Sequence, residues 1–232
     1  MKSFRTLLMA GAASLFALTA FASVGGSGNY ADLIGAGEGG HGDGAWSATN
    51  PGSTATGRYQ FLYDNFVRYG YIDGSQSRRP PPGAGEWSGV VWTGKDGVTS
   101  RSDFMNNRAA QDNMLGSFTQ DNWASISGST PLGTTVNGVQ VTQGGALYAA
   151  HMLGSGAYQK WARCGYQPQC LDAKIAADHG WTLQQYNDHL MRRMAEGGGY
   201  DPSVVASADG GAGGGGMAAP IEQMKLKLMP WS

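Results

Sequence analysis

Charge is scarce in this chain. Asp, Glu, Lys and Arg make up 14% of its 232 residues, against 38 glycines. So little charge excludes a disordered polyelectrolyte, and with so much glycine it points to a loop-rich extracytoplasmic protein. Net charge is −1 and no basic stripe runs along the sequence, which argues against nucleic acid as a partner. Cysteine is limited to two residues, Cys164 and Cys170. In an oxidising compartment they are expected to form a local disulfide, worth about 2 kcal/mol for so small a ring; the alternative is two free buried thiols. A zinc site is disfavoured because no histidine stands at ligand spacing beside the pair. There is no internal repeat, and beyond the N-terminus no stretch is long and apolar enough to cross a bilayer.

What is present begins with Met1-Lys2-Ser3-Phe4-Arg5, a basic start, then an apolar run from Leu7 to Thr19 and the small-x-small site Ala20-Phe21-Ala22. This is the pattern of a secretory signal peptide spanning 1–22, and it predicts a periplasmic or secreted protein. The apolar run is short for a span of ~20 residues, the alternative being an uncleaved anchor. Without Lys2 and Arg5, and with no acid lost, net charge falls from −1 to −3. At the other end, Gly210-Gly211-Ala212-Gly213-Gly214-Gly215-Gly216 reads as a flexible linker. The stretch 203–232 is therefore a linker plus a short amphipathic tail carrying Ile221, Met224, Leu226, Leu228 and Trp231. One domain is expected between, over 23–202.

That domain reads as a series of short helices. An apolar run with Tyr30, Leu33 and Ile34 breaks into glycines at Glu38, a junction where a half-buried carboxyl would have a raised pKa and could act as a general acid. Tyr59, Leu62, Tyr63, Phe66 and Val67 recur at helical spacing and predict a helix over 59–69. Residues 74–100 form a long irregular insertion: Arg79-Pro80-Pro81-Pro82 cannot be helix interior, and Trp87, Val90, Val91 and Trp92 read as a short strand or an ordered lid. A helix opens at Ser102-Asp103, with Asp103 as the expected cap, and runs broken to Ile126. Asn137-Gly138 predicts a small hairpin. Thr142 opens an apolar helix ended by Gly154, and Ala157–Arg163, Leu171–His179 and Thr182–Ala195 are expected to be helical.

Glu38-Gly39-Gly40, Asn50-Pro51 and Gly57-Arg58-Tyr59-Gln60, in this order, resemble the motifs of the lytic transglycosylases in the goose-type lysozyme superfamily. In that family the first motif is Glu-Ser-x-x, the second Gly-Leu-x-Gln and the third Ala-x-Asn-x-Gly on a buried helix. The third is matched imperfectly by Ala149-Ala150-His151-Met152-Leu153-Gly154, with histidine in place of asparagine and glycine one residue late. Gly39 replaces the usual serine and Arg58 the usual leucine, which suggests a divergent branch, closer to forms found near conjugation and secretion machinery or in phage particles. The resemblance covers residues 29–195; the 74–100 insertion lies outside the common pattern.

The resemblance implies a mainly α, lysozyme-like domain with a small β-hairpin, acting on peptidoglycan without metal or cofactor. Glycoside hydrolysis ordinarily needs two carboxylates, ~5 or ~6.5–9.5 Å apart, and here Glu38 has only Asp43 and Asp64 as companions. A lytic transglycosylase needs one carboxyl. By resemblance, Glu38 is the catalytic group, and Gln60, Tyr59, His151, Tyr148 and Asn50 face substrate. Tyr59 and Tyr148 are equally readable as core, and His151 as a helix histidine. Tyr200 is a further cleft-wall candidate, and His41 is close enough in sequence to perturb Glu38. The tail would address an envelope-spanning secretion or conjugation machine. A hydrolytic lysozyme and a non-catalytic wall-binding or assembly protein are the alternatives.

Overall fold

The computed structural model describes residues 30–38 and 42–196. The expected signal peptide (1–22), the linker and tail (203–232), His41 and Tyr200 lie outside the described residues. None of the described helices is long and apolar enough to cross a membrane.

The protein is mainly α, as expected. Helix α5 (Gln143–Leu153) is its axis. Every residue from Gln143 to Ala150 is buried, so this helix is apolar all round and packs against neighbours on every side. Those neighbours are α1 (Tyr30–Glu38), α4 (Arg108–Ile126), α6 (Ser155–Arg163) and α8 (Leu183–Glu196). Its start is capped by Thr142, whose hydroxyl accepts from Gly145 N at 3.1 Å and donates to the Met194 carbonyl at 2.6 Å. One side chain thus satisfies a free donor of α5 and a free acceptor near the end of α8. Gly154, at φ 76°, ends α5.

The remaining caps are equally local. Ser100 caps α3 (Arg101–Asn106), accepting from Asp103 N at 2.9 Å. Asp103, expected as the cap, instead sits in the first turn, where its carboxylate accepts from Thr99 N and Oγ1. Asn107 ends α3 and caps α4, accepting from Ala110 N at 3.0 Å; the helix expected from Ser102 thus breaks here, and α4 runs uninterrupted through Phe118 to Ile126. Asp172 caps α7 (Ala173–Asp178), and Thr182 and Gln185 hold each other's backbone N–H at the start of α8. The expected hairpin pairs β1 (Thr135–Val136) with β2 (Val139–Gln140), antiparallel, through Asn137 and Gly138 at φ 50° and 80°. Asn137 Nδ2 donates to the Gly165 carbonyl at 3.1 Å, tying the hairpin to the loop closed by the Cys164–Cys170 disulfide.

Two expectations are corrected. The helix predicted over 59–69 is only α2 (Tyr63–Arg68). Upstream, Thr56 pairs with Phe61 across a tight turn, in which Gly57 has φ 80° and Gln60 φ 50°. A left-handed residue at 60 is incompatible with helix, and the Thr54 hydroxyl and Asn65 amide take the N–H groups of Tyr63 and Leu62 that open α2. The 74–100 insertion contains no extended strand; one isolated bridge joins Ile72 to Trp92. Its order comes from packing: Trp87 and Trp92 stack at 5.9 Å and both edge onto Phe66 of α2, at 5.1 and 5.8 Å.

Arg101 pins that insertion. It is 2% exposed. Its guanidinium donates to Thr56 Oγ1 (2.8 Å) and to the carbonyls of Ala55 (3.1 Å), Gly85 (2.8 Å) and Ala84, and lies 4.9 Å over Trp87. Burial draws its pKa down, with Glu86 opposing.

Candidate active site

Glu38 is the last residue of α1. The helix places Tyr30, Ala31 and Ile34 in the core, and the Gly39-Gly40 that follows cannot extend it favourably. The Glu38 side chain is 15% exposed, and its carboxyl faces His151 of α5, Nε2 to Oε1 at 3.8 Å. Burial lifts the Glu38 pKa from 4.5 to about 7. The same cause acts oppositely on the cation: burial drives the His151 pKa down to about 4, with hydrogen bonding to the Tyr59 backbone working the other way. Near neutral pH the site therefore holds a protonated, or readily protonated, carboxyl beside an uncharged imidazole.

Tyr148 precedes His151 by one turn of α5. It is 1% exposed, and its hydroxyl shares a 2.9 Å hydrogen bond with His189 Nε2 of α8. Burial first, then the Glu38 charge, push its pKa upward, and the same carboxyl acts on Tyr186. Phe118 of α4 closes the other side of the imidazole, edge to face at 5.1 Å. The carboxyl thus sits where α1, α4, α5 and α8 meet.

The turn before α2 supplies Gln60. Its Nε2 donates to the carbonyls of Gly57 (2.8 Å) and Ala48 (3.3 Å), while its Oε1 is buried and has no hydrogen-bond partner among the described residues. His151 Nδ1 and Tyr186 Oη are in the same condition. Each such atom costs about 1–3 kcal/mol if left dry. Two are tied to Glu38 directly, by proximity or charge, and the third follows Tyr59, whose backbone meets the His151 ring. The His151 and Tyr186 atoms are thus unspent polar groups beside a buried carboxyl, the kind a polar ligand would satisfy.

Two of the expected substrate residues are structural instead. Tyr59 is 1% exposed and its hydroxyl donates to Asp112 at 2.6 Å, so its ring faces no cleft. Asn50 forms an Asx turn, its Oδ1 accepting from Gly52 N at 2.8 Å. Asp43 and Asp64, the candidate second carboxylates, are 90% and 69% exposed and are ion-paired with Arg108 and Arg79. A groove of about 700 Å³ near Asn137, Tyr166, Asn187 and Met191 includes neither Glu38 nor His151 among its walls. Sequence reading missed Arg58, Trp46 and Gln111. Gln111 accepts from Arg58 N at 2.8 Å and donates to the Trp46 carbonyl at 3.0 Å. The available hint was the glycine at 57, which the structure shows at φ 80°, where a Cβ would collide with Gln111.

No family model, curated protein or solved structure matches the chain.

Proposed function

We propose that the protein is a peptidoglycan lytic transglycosylase with a lysozyme-like catalytic domain. The observation that carries the proposal is the buried Glu38 carboxyl, lifted to about 7 and set beside a neutral His151. A carboxyl titrating there is protonated enough to act as an acid and basic enough to take the proton back.

In the proposed reaction Glu38 gives its proton to the glycosidic oxygen between MurNAc and GlcNAc, and the bond to the anomeric carbon breaks. The resulting carboxylate takes the proton from the C6 hydroxyl of the same MurNAc. That oxygen closes on the anomeric carbon, giving a 1,6-anhydro end. Glu38 is again protonated, and no water is consumed. In this reading Gln60 Oε1 and His151 Nδ1, which have no hydrogen-bond partner among the described residues, accept from sugar hydroxyls. Supporting this over hydrolysis, Asp43 and Asp64 are exposed and engaged by arginines, whereas a hydrolase needs a second carboxylate at the bond. Export to the periplasm, and a tail that addresses an envelope machine, belong to the same reading.

The test is mass analysis of muropeptides released from purified sacculi by the protein and by Glu38→Gln. Anhydro products, one water lighter than reducing ends and absent with the variant, are expected. Reducing ends would make it a lysozyme. No release by either protein would favour wall binding, or an enzyme that needs its partner.

A further inference from the structure

We infer that Arg58 is a positioning residue for Glu38, a clamp laid across α1 and onto the segment that follows it. The inference rests on the catalytic reading of Glu38 above. Helix α1 has nine residues, too few to hold its shape alone in water. What fixes its last residue must therefore come from outside it. Arg58 reaches over it from the turn before α2. Its backbone N–H is held by Gln111 Oε1 at 2.8 Å. Its Nη2 meets Asp32 Oδ1 at 2.5 Å, and its side chain runs so close over Gly35 that a Cβ there would collide with Nε. Gly35 is three residues from Asp32 and three from Glu38, the helical neighbour of each.

Beyond Glu38 the same guanidinium lies 4.8 Å over Trp46, and it is 5.6 Å from the Tyr59 ring. One side chain thus grips the chain on both sides of the carboxyl. The Asp32 partner is 68% exposed, so the ion pair adds little by itself; the hold is the planar group packed between Gly35 and Trp46, which a lysine cannot reproduce. Glycine at 35 then has a reason. Alanine is the better helix former, but it would push Arg58 off the helix.

Gly35→Ala and Arg58→Ala are the test, in the full chain, with Arg58→Lys as the partial case. The Glu38 carboxyl is titrated by carbon-13 NMR, assigned with Glu38→Gln, beside melting curves and kcat and KM on sacculi. His151, Tyr148 and Tyr186, the other groups facing Glu38, stay unaltered. We expect Gly35→Ala to melt no lower than the parent, yet its Glu38 titration to fall by about one pH unit as water reaches the carboxyl. Its kcat should drop at least about tenfold, with KM within about twofold. Arg58→Ala should follow, and Arg58→Lys lie between. An unchanged Glu38 titration in folded Gly35→Ala overturns the inference, whether or not Arg58→Ala folds. A parent protein that cleaves no glycan counts against the catalytic reading alone, since the titration still reads the clamp.

Discussion

Glu38 and His151 stand 3.8 Å apart with opposite responses to the same burial. Glu38 titrates at about 7 instead of 4.5, so between those values the folded protein binds more protons than the unfolded chain, and stability falls as pH rises. His151 titrates at about 4 instead of 6.5, so in that window the folded protein binds fewer, and stability rises with pH. At about 1.4 kcal/mol per unit, each slope amounts to about 3 kcal/mol, and the two nearly cancel. Denaturant titrations from pH 4 to 7 should therefore find the parent almost flat in the contribution of this pair. Glu38→Gln should lose about 3 kcal/mol as pH falls from 6.5 to 4, and His151→Asn should lose a similar amount as pH rises from 4.5 to 7. Parallel curves for all three proteins would mean the pair is solvated. Activity should have a single alkaline limb near 7, where Glu38 gives up its proton.

At the scale of the element, α5 was legible because its signals are local. Thr142, an unbroken apolar run and Gly154 are written next to one another, as are Asn137 and Gly138 in the hairpin. The start of α2 was not, because the apolar spacing of Tyr59, Leu62, Tyr63 and Phe66 is the same whether Tyr59 lies in a helix or in the turn before one. The choice is made by the Thr56–Phe61 pairing and by Gln111, which reaches that turn from far along the chain. The candidate site divides the same way. Glu38 could be placed at the end of its helix from the glycines after it, but that His151 would face it, and that Tyr59 would turn to Asp112 and not to a cleft, depend on how α1, α4 and α5 dock. A related close approach is testable: a Cβ at Gly145 of α5 would collide with the Met194 backbone of α8. Gly145→Ala should cost about 1–3 kcal/mol despite the gain in helix propensity, read as a lower denaturation midpoint with unchanged slope.

Across the whole molecule the long insertion behaves as part of the core's rim, held by one arginine. Arg101 joins α3, the 49–57 loop and the insertion through one oxygen of Thr56 and three carbonyls. Arg101→Ala leaves those acceptors without their donor, and a loss of about 3 kcal/mol is expected. Limited proteolysis should then cut first within residues 74–100, while the α4–α5–α8 packing survives. Cleavage elsewhere would mean the insertion is not the weakest unit. The proline run and the two tryptophans announced an ordered excursion, but a buried arginine answered mainly by carbonyls has no signature in composition or spacing.

Most of the described chain lies between Glu38 and the histidine it faces. Helix α1 leaves the ribosome early, and α5 and α8, which dry its carboxyl, come near the end. Until they dock, Glu38 is an ordinary solvated glutamate with an ordinary acidity. The contact that lets the carboxyl keep its proton near neutral pH is thus made between distant parts of the chain, and before it forms Glu38 has already given that proton up.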